Sequence, residues 1–532
     1  MRLSLRFLRR RGLVLAPLLS LASAALLPAL PLLPALPLRA EPLPADASVE
    51  GLGAGWPQAR PTPAEEALPA AELGRLTLAQ ALEWASQRNP VLRQTYEELV
   101  ATQNSLGAAY ATWWPTINQS INGGPYGARS YYNYPGAFSG GVPTPGPYRD
   151  QKAFIGSYFQ SLAQFELTWN LFDPARTPTI WQNKYQVRQA ADTYVIARRD
   201  NRLQTAQAFI ELQQAMAQVL TGQQIVDNDR LLFRLTQSRF NLGSATKVDL
   251  AKQESVLKAD ERNLAQARQD VQVAQAALAE LLAVSNAGAL LPADALQALG
   301  SWTHSLPDTQ QAALDYRKVI EQKLMDVKIN EAQAQIELAV YRPTIQLVNS
   351  LLWTKQAGFT SQGPPWVQGA RSDLWDASAL LQITITGFDG GQARMSAEAA
   401  RRRARAAEAS YQAAINQVRK EVETFHAQAT QGREVVILSA ERVKASSEAL
   451  RLQTLRFTAG YGTVTDVVQA QQDLTQAVIG YVNDLANYNV ALVSLARASG
   501  LAFEPDEALN QRLGTPLDNL RLPAVLNRPS GS

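Results

Sequence analysis

Arginine, glycine, threonine and aspartate recur at fixed spacing in two copies of the pattern R-F-x-x-G-x-x-T-x-x-D. The first copy is Arg239, Phe240, Gly243, Thr246 and Asp249; the second is Arg456, Phe457, Gly460, Thr463 and Asp466, displaced by 217 positions. Residues of these types at this spacing do hydrogen-bond chemistry at helix ends rather than bond making. Thr-x-x-Asp is a capping box, in which hydroxyl and carboxylate serve amides left unpaired where a helix begins. The glycine before it reads as the stop of the preceding helix, so each copy predicts helix, tight turn, helix. Gly243, Gly460 and Gly462 are assigned to that backbone need, as left-handed caps or turn residues. The rest of the chain offers no reactive constellation. It has no cysteine, which excludes disulfides and thiolate metal sites, and only two histidines, His304 and His426. With no nucleophile–base set and no phosphate loop, the sequence reads as a protein that is not an enzyme and takes no cofactor or metal.

Two matching helical turns half a chain apart imply a duplication, and the flanking sequence repeats with them. Leu76 to Thr112 is patterned as a helix and ends at Trp113-Trp114-Pro115. A strand-like segment follows (Ile117, Gln119, Ile121), and Gly123 to Pro147 has the composition of a loop. The next strand is long: Phe159, Ala163, Phe165, Leu167, Trp169 and Leu171 fall on one parity, and Gln160, Gln164, Glu166, Thr168 and Asn170 on the other. Such alternation puts one face in an apolar medium and the other in water; a soluble sandwich would also explain it, and the length favours a membrane-barrel strand. Tyr341-Arg342-Pro343-Thr344-Ile345 echoes the first entry. A strand (Ile345, Leu347, Leu351, Trp353), a loop with Gly358, Gly363, Pro364 and Pro365, and a second long strand (Trp375 to Ile385) follow it. Trp169, Trp353 and Trp375 are candidates for an interfacial belt or for ordinary packing.

After each hairpin comes a helix, Pro178 to Leu242 and Gly391 to Ala459, on the order of 100 Å long at 1.5 Å per residue. The helices that return from the two turns carry heptads: Leu250, Leu257, Leu264, Val271 and Leu278, then Val467, Leu474, Tyr481, Tyr488 and Leu495. Sustained heptads are coiled-coil seams. The returning helices are short, and stacking 308–341 on the first and 76–112 on the second equalises the lengths around a middle belt.

The net charge of +3 is dominated by six arginines among residues 1–40, which hold no acid, so the remainder is −3 by subtraction. That leaves no basic excess to attract nucleic acid. Residues 1–40 read as an export signal cleaved after Ala24 or Ala40, with a membrane anchor as the rival, and 41–72 as a disordered leader. The division continues as a first repeat 73–284, a linker or equatorial segment 285–307, a second repeat 308–500 and a tail 501–532. Past residue 40 no apolar run reaches the roughly 20 residues of a membrane helix, so a membrane crossing must use strands. Four strands cannot close a barrel, because open edges leave backbone groups unpaired in hydrocarbon. If the strands are membrane-embedded, at least two chains must share one barrel, and the helices must then pack around the same axis.

In both halves, both hairpins, both turn motifs and the entry Leu76-Thr77-Leu78-Ala79-Gln80-Ala81-Leu82 with Asn89-Pro90, the chain resembles the TolC-type outer-membrane efflux protein family. The resemblance implies a mainly α fold: long antiparallel coiled-coil helices form an α-barrel, and four strands per chain contribute to a shared twelve-stranded β-barrel. It implies a homotrimer in outer-membrane lipid with its helices in the periplasm. It also implies an adaptor protein and an inner-membrane transporter as partners. The function expected is a passive export duct of a tripartite efflux or type I secretion system, gated at its periplasmic tip. The tip residues Gly243, Ser244, Thr246, Gly460, Tyr461, Gly462 and Thr463 then form the adaptor-docking surface, with Asp466, Gln469 and Asp249 at the aperture. Asp466 matches a ring aspartate of the family. Gly462 stands where a bracing arginine is expected, and Gln469 where a second ring aspartate is expected. The alternative is a periplasmic coiled-coil adaptor or scaffold, a class that shares the helices but lacks two long amphipathic hairpins.

Overall fold

Capping residues set where the helices begin in the computed structural model, which describes residues 75–133, 138–139, 142–143, 151–360, 370–514 and 517. Residues 1–40 and 41–72, expected as signal and leader, and all of the tail beyond 517 lie outside the described residues. The first repeat comprises α1 (Leu78–Arg88), α2 (Pro90–Ala111), β1 (Thr116–Asn133), β2 (Gln151–Phe172), α3 (Arg176–Asn241) and α4 (Lys247–Leu282). The second comprises α5 (Leu306–Tyr316), α6 (Lys318–Leu338), β3 (Thr344–Thr360), β4 (Ala370–Thr384), α7 (Gln392–Thr458) and α8 (Val464–Ser499), followed by α9 (Glu507–Leu513). No described helix is long and apolar enough to cross a membrane.

Each expected short helix is in fact two. Asn89 (φ −60, ψ 120) closes α1 and caps α2 by accepting from Val91 N at 2.8 Å. Its extended backbone is what the following Pro90 demands. Arg317 (φ −76, ψ 105) divides α5 from α6, its guanidinium held by Glu421 of α7 at 2.7 Å. The end-to-end order is also the reverse of that expected. Asn89 Nδ2 donates to Leu281 O at 3.3 Å, so α1 and α2 continue α4. The Tyr316 ring lies against Gly500, the left-handed cap of α8, so α5 and α6 continue α8. The hairpins dictate this: α2 feeds β1 and α3 leaves β2, so paired strands force α2 to lie along α3, in line with α4. At the junctions Arg75–Leu76 pairs in parallel with Leu291–Pro292, and Ser301 bridges to Glu504. Tyr488 Oη donates to Gly300 O at 2.7 Å.

The four strands form one antiparallel sheet in the order β1-β2-β3-β4. Both hairpins are longer than the composition suggested. β1 runs through Gly123, Gly124 and Pro125 to Asn133, and β3 includes Gly358. Pro125 stands in register with Phe159 of β2, and the pairing continues through it. Gly363, Pro364 and Pro365 lie outside the described residues.

The register carries one apolar face across all four strands. Ile117 pairs with Leu167, Ile121 with Ala163, Ala163 with Trp353, and Trp353 with Trp375. The Trp353 and Trp375 rings stack at 5.5 Å. Trp169, paired with Leu347, lies six positions further along β2, or ~20 Å at ~3.3 Å per residue. Aromatic side chains thus bracket a band close to the ~25 Å apolar belt of an outer-membrane barrel.

Below the sheet, the seams of the coiled coils are buried. In α8, Val467, Leu474, Tyr481, Tyr488 and Leu495 are all in the core with the interleaved Val478, Leu485 and Leu492. In α4, Leu257, Leu264 and Leu278 are buried, whereas Leu250 and Val271 are only half-buried.

Candidate functional site

Arg239 and Arg456 each stand three residues before their helix's C-cap, and this offset builds the same end in both turns. Ser244 N donates to Arg239 O (2.8 Å) and Gly243 N to Phe240 O (2.9 Å); Tyr461 N donates to Arg456 O (2.9 Å) and Gly460 N to Phe457 O (3.1 Å). These six-to-one and five-to-two bonds are the Schellman motif, which needs a left-handed residue at its turn. Gly243 (φ +73) and Gly460 (φ +84) supply it. Gly462 is instead the turn residue of the three, in the bend before Thr463. Its φ is ordinary, and what it provides is space: a Cβ there would lie 2.9 Å from Phe457 N.

The next helix in each copy starts on a complete capping box. Thr246 Oγ1 accepts from Asp249 N (3.1 Å) and donates to Asp249 Oδ2 (2.7 Å), while Thr246 N donates to the same carboxylate (3.0 Å). Thr463 and Asp466 repeat the set at 3.2, 2.8 and 3.1 Å. The threonine hydrogen bonds hold both carboxyl groups below the usual carboxylate range. Both aspartates stay ionised, and each is already engaged as a cap. Thr463→Ala is expected to cost about 1 kcal/mol and speed amide exchange in the first turn of α8 about fivefold. Unchanged exchange at Val464 to Asp466 would contradict the cap.

The structure brings the two turns together through a residue to which the sequence assigned no role. The Arg239 guanidinium donates to Phe457 O, and to Thr458 O at 3.2 Å, and lies 3.9 Å from the Phe457 ring centroid. It thereby caps the negative end of α7 with a cation. Lys252 Nζ reaches Thr465 Oγ1 at 3.3 Å, a second bond from the first repeat to the second. Ser244, Tyr461 and Gln469 are exposed at or just beyond the turns, and Gln469 donates to Asp473 at 3.0 Å. Leu242, Val248 and Tyr461 present apolar surface there, at 82%, 62% and 85% exposure.

A polar layer above the turns also escaped the sequence reading. Asp229 and Gln471 are fully buried, and Gln253 and Asp260 nearly so. Among the described residues no donor reaches either oxygen of an ionised Asp229, and neither Gln471 amide atom has a hydrogen-bond partner. Burial first, then the hydrogen bond and charge of Asp260, push the Asp229 carboxyl up to about 9. The signal was present: Gln253 and Asp260 lie in register with the buried Ala267 and Ala274, a second heptad line interleaved with the leucines. Among the described residues no group of three or more His, Cys, Asp or Glu side chains could hold a metal ion.

Paired coiled-coil hairpins carrying a four-stranded sheet with an aromatic-bracketed apolar face define a class of membrane channel whose strands span and whose helices extend into water. The family model described as outer membrane efflux protein matches residues 81–284 and 310–501, and the chain belongs to that family. The chain is 25% identical over 449 residues to the outer membrane protein OprJ of Pseudomonas aeruginosa, covering 82% of this chain and 86% of that one. Its fold matches the CmeC outer membrane channel of Campylobacter jejuni (TM-score 0.64, 16% identity, 86% of this chain and 93% of that one). It also matches the outer membrane protein VceC of Vibrio cholerae (TM-score 0.60, 18% identity, 80% and 97%). The protein is an outer-membrane efflux channel, with its sheet in the outer membrane and its helices in the periplasm.

Proposed function

We propose that the chain is the passive outer-membrane duct of a tripartite efflux or type I secretion assembly, working as a homotrimer with a periplasmic adaptor and an inner-membrane transporter. The observation that carries this reading is the pair of open sheet edges. β1 and β4 have no strand on their outer sides among the described residues, yet the sheet's apolar face belongs in lipid, where unpaired backbone groups are prohibitively costly. Pairing β4 of one protomer with β1 of the next removes every edge, and three copies give twelve strands. The division into repeats 73–284 and 308–500 around an equatorial segment 285–307 is supported by the two-part family match. The adaptor or scaffold alternative has no use for an apolar sheet in the outer membrane and is set aside.

Gly243, Ser244, Thr246, Gly460, Tyr461, Gly462 and Thr463 form the docking surface in this reading. The exposed Leu242, Val248 and Tyr461 make it apolar enough to bind the tip of another coiled coil. Purified protein is expected to run as a trimer and conduct in planar bilayers. Cysteines at Ser244 or Tyr461 are expected to cross-link to the adaptor in cells. Recovery in the soluble periplasm, or a monomer that never conducts, would overturn the duct.

In this reading Asp466, Gln469 and Asp249 are the aperture residues, and the ionised Asp466 carboxylate favours cations there. Asp466→Ala is expected to weaken divalent-cation block of the channel, whereas Thr463→Ala, which loosens the same cap and keeps the charge, leaves block intact. Identical single-channel records for Asp466→Ala and the parent would remove Asp466 from the aperture.

A further inference from the structure

Trp169 stands at the periplasmic end of the sheet's apolar face, and a ladder of rings and cations continues from it onto the helices. Its Nε1 donates to Trp113 O at 3.0 Å. The Arg176 guanidinium lies 4.3 Å from the Trp113 ring centroid. One turn below Trp113, the Tyr110 ring centroid is 5.9 Å from Lys184 Nζ. The same Nζ lies 4.5 Å from the Trp181 ring, which is stacked on Tyr185. Trp113 and Trp181 are each 48% exposed.

Two cations are thus held at the edge of the apolar band without an ion pair. Lys184 makes no hydrogen bond or salt bridge among the described residues and meets only rings. Arg176 is 4% exposed and donates to Asn170 O, while its Nε has no partner. The acid whose charge it feels, Asp173, already accepts from Ala175 N at 2.9 Å. The second repeat lacks the device. Phe388-Asp389 repeats Phe172-Asp173, and 216 positions on from Arg176, Trp181 and Lys184 stand Gln392, Ala397 and Ala400. A hairpin-to-helix junction therefore forms without these side chains, so the fold alone does not account for them.

We propose that this ladder seats the headgroup of an anionic phospholipid in the inner leaflet of the outer membrane. Lys184 donates to the phosphate, Arg176 adds positive potential from beneath, and Trp113 and Trp181 lie against the glycerol region. Aromatic rings settle at this level of a bilayer. A lysine stem lies along apolar surface while its ammonium reaches polar groups, and basic pockets at the membrane surface take anionic headgroups. The occupant is a lipid because the site is continuous with the sheet's apolar face. It is anionic rather than zwitterionic because the one acid the cations feel there is engaged, leaving no free carboxylate for a headgroup ammonium. The inference goes beyond the duct reading: it needs the sheet in the outer membrane, and neither gating nor partners.

Native mass spectrometry of the full-length protein in detergent tests this, with dioleoylphosphatidylglycerol and dioleoylphosphatidylcholine as probes. The wild type is expected to bind the anionic lipid about fivefold more tightly, the contribution of one basic residue near a lipid surface. Lys184→Gln is expected to bind the two lipids about equally, and Lys184→Arg, which keeps the charge, to retain the preference. Arg202→Gln makes the same charge change 18 positions further along α3, about 27 Å away at 1.5 Å per residue, and is expected to leave the preference intact. Equal binding of both lipids by the wild type would reduce the site to an aromatic belt and overturn the inference. A preference that survives Lys184→Gln, or that Arg202→Gln also abolishes, would overturn it as well. Each of these results leaves trimer mass and conductance untouched, so the duct reading stands or falls separately.

Discussion

Arg239→Ala is expected to raise single-channel conductance in planar bilayers and to speed amide exchange at residues 455–461 of α7. The side chain makes two charge-assisted hydrogen bonds to carbonyls at the end of α7, and its planar cation lies on an aromatic ring. Removing it leaves Phe457 O with only its backbone bonds and uncovers Phe457, a buried member of the α7–α8 core. The loss is roughly 2 kcal/mol per protomer, on the order of 30-fold in the local equilibrium between held and released turns. Arg239→Lys is expected to recover only part of this, because an ammonium supplies a point charge without the fork that reaches two carbonyls. Faster exchange without a conductance change would make Arg239 a structural cap with no part in the constriction. No change in either measurement would remove the contact altogether.

The sequence made Arg239 visible as a repeated letter but not as a link, because the bond joins residues 218 positions apart. What a sequence shows well is local and periodic. The alternation from Phe159 to Leu171 fixed the sheet's faces, and Thr-x-x-Asp fixed two helix starts to the residue. Prolines and glycines misled where tertiary pairing overrode them: Gly123 to Pro125 look like loop, yet strand pairing with β2 continues to Asn133. The proline of Asn89-Pro90 marks the split, but the apolar pattern continues across it and reads as one helix. The reversed stacking of the short helices has a different cause. Helix lengths are matched by either arrangement, and only the hairpin connection decides between them. Gly462 shows the limit at a single residue, since a glycine needed for space and one needed for a left-handed backbone look the same in sequence. The charged core position Asp260 was hidden by the leucines beside it in the heptad.

That hidden layer yields the largest stability effect expected in this chain. Asp229→Asn is expected to stabilise the α3–α4 hairpin, by an amount that grows with pH. The folded-state pKa of Asp229 is raised to about 9, far above its ordinary value of 3.8, chiefly by burial. Between those values the native hairpin keeps a proton that the unfolded chain has released, so the wild type loses stability as pH rises through this window. Below it the group is neutral in both states and costs nothing. Asparagine is neutral throughout and supplies an N–H to the neighbouring Asp260, so its advantage approaches zero at pH 4 and grows steadily toward pH 8. Amide exchange across residues 225–262, corrected for its intrinsic pH dependence, is the measurement. Protection is expected to fall from pH 5 to pH 9 in the wild type and to stay level in the variant; parallel profiles would contradict the buried proton. Asp229 lies ten residues before Arg239 on α3, about 15 Å from the tip at 1.5 Å per residue. The layer therefore sits near the proposed gate, below the buried apolar residues Val478, Leu485 and Leu492 of α8. If that placement serves opening, Asp229→Asn will also lower the open-channel conductance gained in Arg239→Ala, whereas a purely structural layer would leave the double variant conducting like Arg239→Ala alone.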